Sequence, residues 1–203
     1  MVNKKISAKN KKFSILNEYS ESWEYIKSCK TQIYWIVSLF FAFALIGFFV
    51  PISKEIMDII LEYIKGILEQ TKDMSMIQLM NFIFLNNLQA SFFGLILGLF
   101  FGIAPVFFAL FNGYVLGIVA SLTVSQEGIL SMLNLFPHGI FELPAVFISL
   151  GLGLKLGAFI FQKNKKEFFK KNLSNSFRVF IFVIIPLLFI AAIIEGALIF
   201  LIK

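Results

Sequence analysis

FPHGIFELPAVFISLGLGLKLG, residues 136–157, is apolar and long enough to cross a bilayer as a helix, yet it holds the only histidine of the chain, His138, and an acid, Glu142. Four residues separate the two, about one helical turn, so both side chains fall on one face. Ionisable groups inside an apolar span are costly and usually functional. The same stretch sets Ala145, Ser149, Gly153 and Gly157 four apart, a small-residue stripe that lets membrane helices approach closely. Its neighbours in sequence should therefore be helices packed around it.

The rest of the chain agrees. Of 203 residues, 59% are hydrophobic and 27 are Phe, more apolar surface than a water-soluble domain of this size can bury. The fold class expected is all-α, a polytopic transmembrane bundle of about five spans with amphipathic interfacial helices. Residues 1–31 form a basic cytoplasmic arm, and 32–203 form a single transmembrane domain. The first apolar run, Ile33 to Ile52, is longer than the core of a signal peptide and reads as an uncleaved span. Asn81 to Phe101 is the second span and Val106 to Val124 the third, joined by a tight turn at Gly102 to Pro105. The fourth starts at Pro137, where a missing N–H costs nothing. Val179 to Ile202 is the last, with Pro186 as its kink. A re-entrant segment over 129–150 is the rival reading, because Pro137 and Pro144 fall close together.

The loops set the orientation. Residues 1–31 carry seven Lys against three Glu, net +4, and Phe13 to Ile26 patterns as a surface helix with Phe13, Leu16, Tyr19, Trp23 and Ile26 on one side. The amphipathic segment 53–80 is net −2 and the loop 162–178 is net +5. The positive-inside rule then places the N-terminus and 162–178 in the cytoplasm and 53–80 outside, in a cell membrane. The basic arm beside a span favours lipid headgroups over nucleic acid. Lys155 is placed to snorkel towards those headgroups.

Two further small-residue stripes accompany the first: Gly94, Gly98 and Gly102 on the second span, and Gly113 and Gly117 on the third. Both are expected to face the fourth span. The polar residues within spans that stand out as a candidate cluster are Asn86, Asn87, Asn112, His138, Glu142 and Glu195. Rise arithmetic puts Asn86, Asn87, Glu142 and Glu195 roughly 7–10 Å below the outer helix ends, Asn112 nearer the middle and His138 at the rim. They either line a pocket for a cation, a proton relay or a lipid headgroup, or simply hydrogen-bond the helices together. Enzyme signatures are absent: there is no H-E-x-x-H, no G-x-S-x-G and no phosphate loop. One Cys excludes a disulfide framework or a cysteine zinc site. No catalytic residue, metal or cofactor is expected.

FLNNLQASFFGLILGLFFGI at 84–103, ALFNGYVLG at 109–117, LFPHGIFELPAVFISLGLGLKLG at 135–157 and IIEG at 193–196 resemble the stage II sporulation protein M family, the PHGxxELPA element most specifically. The resemblance covers about residues 30–203. It implies a membrane scaffold without catalytic residues, acting with partner proteins in envelope remodelling. The alternative is a small transporter or lipid-handling protein using the Asn/Glu/His pocket. Expected partners are the bilayer, membrane or envelope proteins and, where five helices are too few, a second copy of the chain.

Overall fold

The 136–157 stretch is the central helix of an all-α bundle. The computed structural model describes residues 14–131 and 136–202. In chain order the helices are α1 Ile15–Ser28, α2 Lys30–Phe49, α3 Lys54–Thr71, α4 Met76–Ile96, α5 Ile103–Glu127, α6 Phe136–Gly157, α7 Lys165–Val179 and α8 Ile185–Ile202. Five helical stretches are long and apolar enough to cross a membrane: Lys30–Phe49, Met76–Leu99, Ile103–Glu127, Gly139–Phe161 and Lys165–Leu201. The protein is a multi-pass membrane protein.

α6 packs against α2, α4, α5 and α8. On one side Ala145, Ile148, Leu152 and Leu156 meet Leu95 of α4 and Val183, Ile184 and Leu188 of the last helix. On the other, Phe147 and Leu150 meet Ile36 and Phe40 of α2 and Ala109 of α5. The Phe40 and Phe147 rings stand edge to face at 5.0 Å. Lipid is as apolar as these side chains, so close van der Waals fit rather than escape from water holds the spans together.

Glycine supplies that fit. A Cβ on Gly98 would land on the backbone of Gly153, and one on Gly153 would meet the Gly94 carbonyl. A Cβ on Gly157 would strike Gly102 and Gly98. The α4 stripe therefore faces α6. The α5 stripe does not, contrary to the sequence expectation. Gly113 lies against the Phe40 carbonyl and Gly117 against Ala44, while Gly47 of α2 returns the contact to Tyr114. α2 and α5 form the most extensive helix pair, and α4 and α5 touch mainly near their connection. A short turn brings two helix ends together but leaves the helices free to splay. At that turn Phe101 and Gly102 have φ of 59° and 73°, which lets the chain reverse before α5.

Other boundaries move. α4 begins at Met76, five residues before the expected span, because Ser75 and Gln78 form a reciprocal capping box. α6 is one helix through Pro144, so the 136–150 part of the proposed re-entrant segment is not broken; residues 132–135 lie outside the described ones. The basic segment 162–178 is not a loop. It is mostly α7, which runs into α8 through a π turn at Phe180–Ile184. Pro186 has no N–H for the carbonyl four residues back, and the wider turn just before it adjusts the upstream pairing.

Candidate functional site

Three elements with unrelated sequences build a cavity at the end of the bundle that carries α3. α4 contributes Asn86 and Asn87, α6 contributes Glu142, and α8 contributes Glu195. The volume is about 630 Å³, and Tyr63, Gly66, Ile67 and Gln70 of α3 line its remaining side. Leu79, Ile83 and Ile199 supply apolar wall. Asn86 donates to the Asn87 side-chain oxygen at 3.3 Å, and one Glu195 oxygen is sealed from solvent. Glycine again sets the approach: Gly196, next to Glu195, is overlaid by Met80 of α4, drawing α8 against α4 at this depth.

Four of the six polar residues singled out in the spans thus share one space. Asn112 does not join them. Its amide donates to its own helix, to the Phe108 carbonyl at 2.8 Å, on an exposed face of α5. The His138 side chain lies outside the described ones. The depth arithmetic also changes. Because α4 starts earlier, Asn86 is ten residues from its end, roughly 15 Å, against roughly 9 Å for Glu142 in α6. The groups meet because α4 extends further than α6 towards α3. Two carboxylates and two amides in an apolar wall suit a cationic or hydrogen-bonding group. Among the described residues no three His, Cys, Asp or Glu gather to hold a metal.

Outside the spans, the α3 N-terminus is capped by Ser53, whose Oγ accepts from the Ile56 N–H at 3.5 Å. Glu55 beside it is held below the usual carboxylate range, first by its own backbone N–H and then by Ser53. This is the preference of helix N-termini for negative charge.

A second polar assembly lies at the opposite end, and the sequence reading did not find it. Instead of lying only on the membrane surface, α1 packs on α7 through Ser22, Tyr25 and Ile26; Leu16, Tyr19 and Trp23 stay exposed, and Phe13 is outside the described residues. The Tyr25 hydroxyl donates to the Asn172 side-chain oxygen at 2.9 Å. Burial holds this phenol well above its ordinary value, with the Ser176 hydroxyl opposing and Cys29 adding to the effect. Arg178 Nε donates to Glu18 at 2.6 Å, and its Nη1 lies 3.0 Å from Glu21. Lys155 does not simply snorkel to lipid: it donates to the Ser28 carbonyl and hydroxyl, each at 3.0 Å, and stands 5.0 Å over the Tyr25 ring. The available signal was Arg178, the only arginine in a chain that otherwise uses lysine. Its forked guanidinium suits two carboxylates at once.

Neither a curated protein nor a solved structure matches the chain significantly. The model of the family described as Stage II sporulation protein M matches residues 36–198, which reach into all five spans and include all four cavity polar residues. The chain, a five-span bundle centred on the 136–157 helix, belongs to the stage II sporulation protein M family.

Proposed function

We propose that the chain is a non-enzymatic scaffold in a cell membrane, recruiting partner proteins for envelope remodelling. The observation that carries this reading is α7. It continues the last span as an uninterrupted helical rod beyond the apolar core and is clamped to α1 by Arg178 and Tyr25. Lys163, Lys165, Lys166, Lys170 and Lys171 are exposed along it or at its start. A fixed basic surface beside a bilayer is a platform for acidic partners or anionic headgroups. The charge bias assigns this end to the cytoplasm and the acidic α3 to the other side. Family membership supports the scaffold reading.

The test is co-purification from native membranes of the wild type and of a Lys165→Glu, Lys166→Glu, Lys170→Glu variant. The scaffold reading expects specific partners lost from the variant while its melting temperature holds. An unchanged partner set removes α7 as the platform. Orientation is read separately, by impermeant thiol labelling of single cysteines at Lys65 and Lys170 on intact cells. Labelling at Lys65 alone supports the N-inside arrangement.

The cavity favours a second reading, a transporter or lipid-handling protein, because Asn86, Asn87, Glu142 and Glu195 converge on one space. Glu142→Gln separates the two. It keeps partner association under the scaffold reading and abolishes solute binding under the other.

A further inference from the structure

α4 carries a polar face that the cavity does not use. Gln78, Asn81, Leu85 and Gln89 recur three to four residues apart, so they form one stripe, and all are exposed on the protein surface. With Phe82 and Asn86 they line a groove of about 450 Å³ along the helix. Gln78 is partly engaged, its side-chain oxygen accepting from Ser75. The amides of Asn81 and Gln89 make no hydrogen bond to any described residue. Gln89 is the telling one. It lies thirteen residues into the Met76–Leu99 span, roughly 20 Å from one end and 15 Å from the other, at mid-bilayer depth. An amide facing hydrocarbon there has neither water nor a partner among the described residues, an unfavourable state that a matching amide would relieve.

We propose that this α4 face is a two-fold interface with a second copy of the chain. Copies of one polypeptide insert in the same orientation, so the axis of a closed membrane dimer runs along the bilayer normal. Each residue near the axis then meets its own image at the same depth. That geometry selects the side chain. A carboxylate or an ammonium would face a like charge, whereas a carboxamide donates through its NH₂ and accepts through its oxygen, and so pairs with itself. From Gln78 to Gln89 the helix presents amides and apolar residues and no charged group. A partner of different sequence would not require such self-complementarity. The carboxylates Glu142 and Glu195 reach the adjoining face of α4, with Phe82 and Asn86 on the border between groove and cavity. The dimer axis therefore runs beside the cavity without passing through it, and the interface stands whether or not the cavity takes a ligand.

The test uses the full chain in membranes with Cys29→Ala, which removes the native thiol. Single cysteines replace Leu85 and Gln89, and as controls Phe111 on α5 and Phe189 on α8, which are 55% and 56% exposed. Oxidation should give a species of twice the monomer mass for Leu85→Cys or Gln89→Cys, at least fivefold above either control. In an otherwise native chain reconstituted in liposomes, Gln89→Leu should weaken self-association about three- to tenfold, the range of one or two interhelical amide bonds, and leave the melting temperature unchanged. Equal cross-linking at all four positions overturns the proposal. So does a cross-linked band containing a different protein, or a Gln89→Leu chain that associates as tightly as the parent.

Discussion

The two ends of the bundle are built on different terms. At the basic end α1 is tied down by the chain itself: the Tyr25–Asn172 bond, the Arg178 fork to Glu18 and Glu21, and Lys155 on the last carbonyl region of α1. At the other end α3 buries only Thr71, while Ile56, Ile59, Tyr63 and Leu68 remain 46–67% exposed. An amphipathic helix with its apolar side unfilled is held by something outside the chain, and the bilayer interface is the physical fit. One end is thus rigid by polar specificity and the other adaptable. The adaptable end is where the cavity opens.

The largest effect should come from the closed half. Gly98→Leu drives a side chain into the Gly153 backbone, which cannot yield as a flexible side chain would. Loss of folded protein in detergent is expected, at or beyond the upper end of the roughly 1–3 kcal/mol typical of overpacking. Gly66 of α3 has nothing within 4 Å of the position of an added Cβ. Gly66→Ala should therefore be tolerated and raise α3 helicity, since Ala exceeds Gly by about 1 kcal/mol in helix propensity. Thermal melts of the two variants compare the ends directly. Similar losses in both would end the contrast.

Next in size is Arg178→Ala. It removes the Arg178 guanidinium from Glu18 and Glu21, which are 23% and 37% exposed. A cost of about 2 kcal/mol follows for charge-assisted bonds in a partly buried setting. Hydrogen exchange should rise through 15–28 and leave α3 unaltered. Faster exchange confined to α3 would contradict the assignment of the clamp.

Tyr25→Phe is smaller, about 1 kcal/mol at neutral pH for one hydrogen bond. It also has a pH signature. The folded phenol is held above its ordinary value of 10.0, so the unfolded chain loses its proton first as pH rises. The native state then binds more protons than the unfolded one, and stability falls with pH. The contribution is whole below pH 10 and is lost above it. The wild type should therefore lose stability in alkali faster than Tyr25→Phe, read as the difference between their melting curves. Parallel curves would mean that Tyr25 is not buried against α7.

The smallest effect belongs to Ser53→Ala at the α3 cap. The bond to Ile56 is long, at 3.5 Å, so about 0.5 kcal/mol is expected. It should appear as faster hydrogen exchange at the start of α3 with no change in the global melt. A shift in the global transition would show that α3 is coupled to the bundle more tightly than its exposure implies.

Much of this was legible in residue order. Hydropathy marks spans because an unpaired backbone in hydrocarbon is prohibitive, so each apolar run of about twenty residues must be helical. Glycines four apart mark a close-packing face of each helix. Glu142 and Glu195 stand out because acids in spans are rare. Less legible were positions whose meaning depends on a neighbour. Gln89 reads like any polar residue in a span until the fold leaves it on the outer surface. Lys163 to Arg178 reads as a charged loop because its helical face is paid out to α1, whose pairing with α7 spans 160 positions between Glu18 and Arg178.

Residue order alone establishes a helical membrane bundle, where its spans lie, and which faces of those spans are small or polar. It is the packed bundle that sets the α5 glycines on α2 and not on α6, makes α7 a rod fused to the last span, and brings Glu142 and Glu195 to one cavity while Asn112 stays outside it. The reason is the solvent. In lipid all apolar faces are nearly equivalent, so periodicity says how closely a helix can be approached but not by which partner. That choice is made by the shape of the whole set of interlocking backbones.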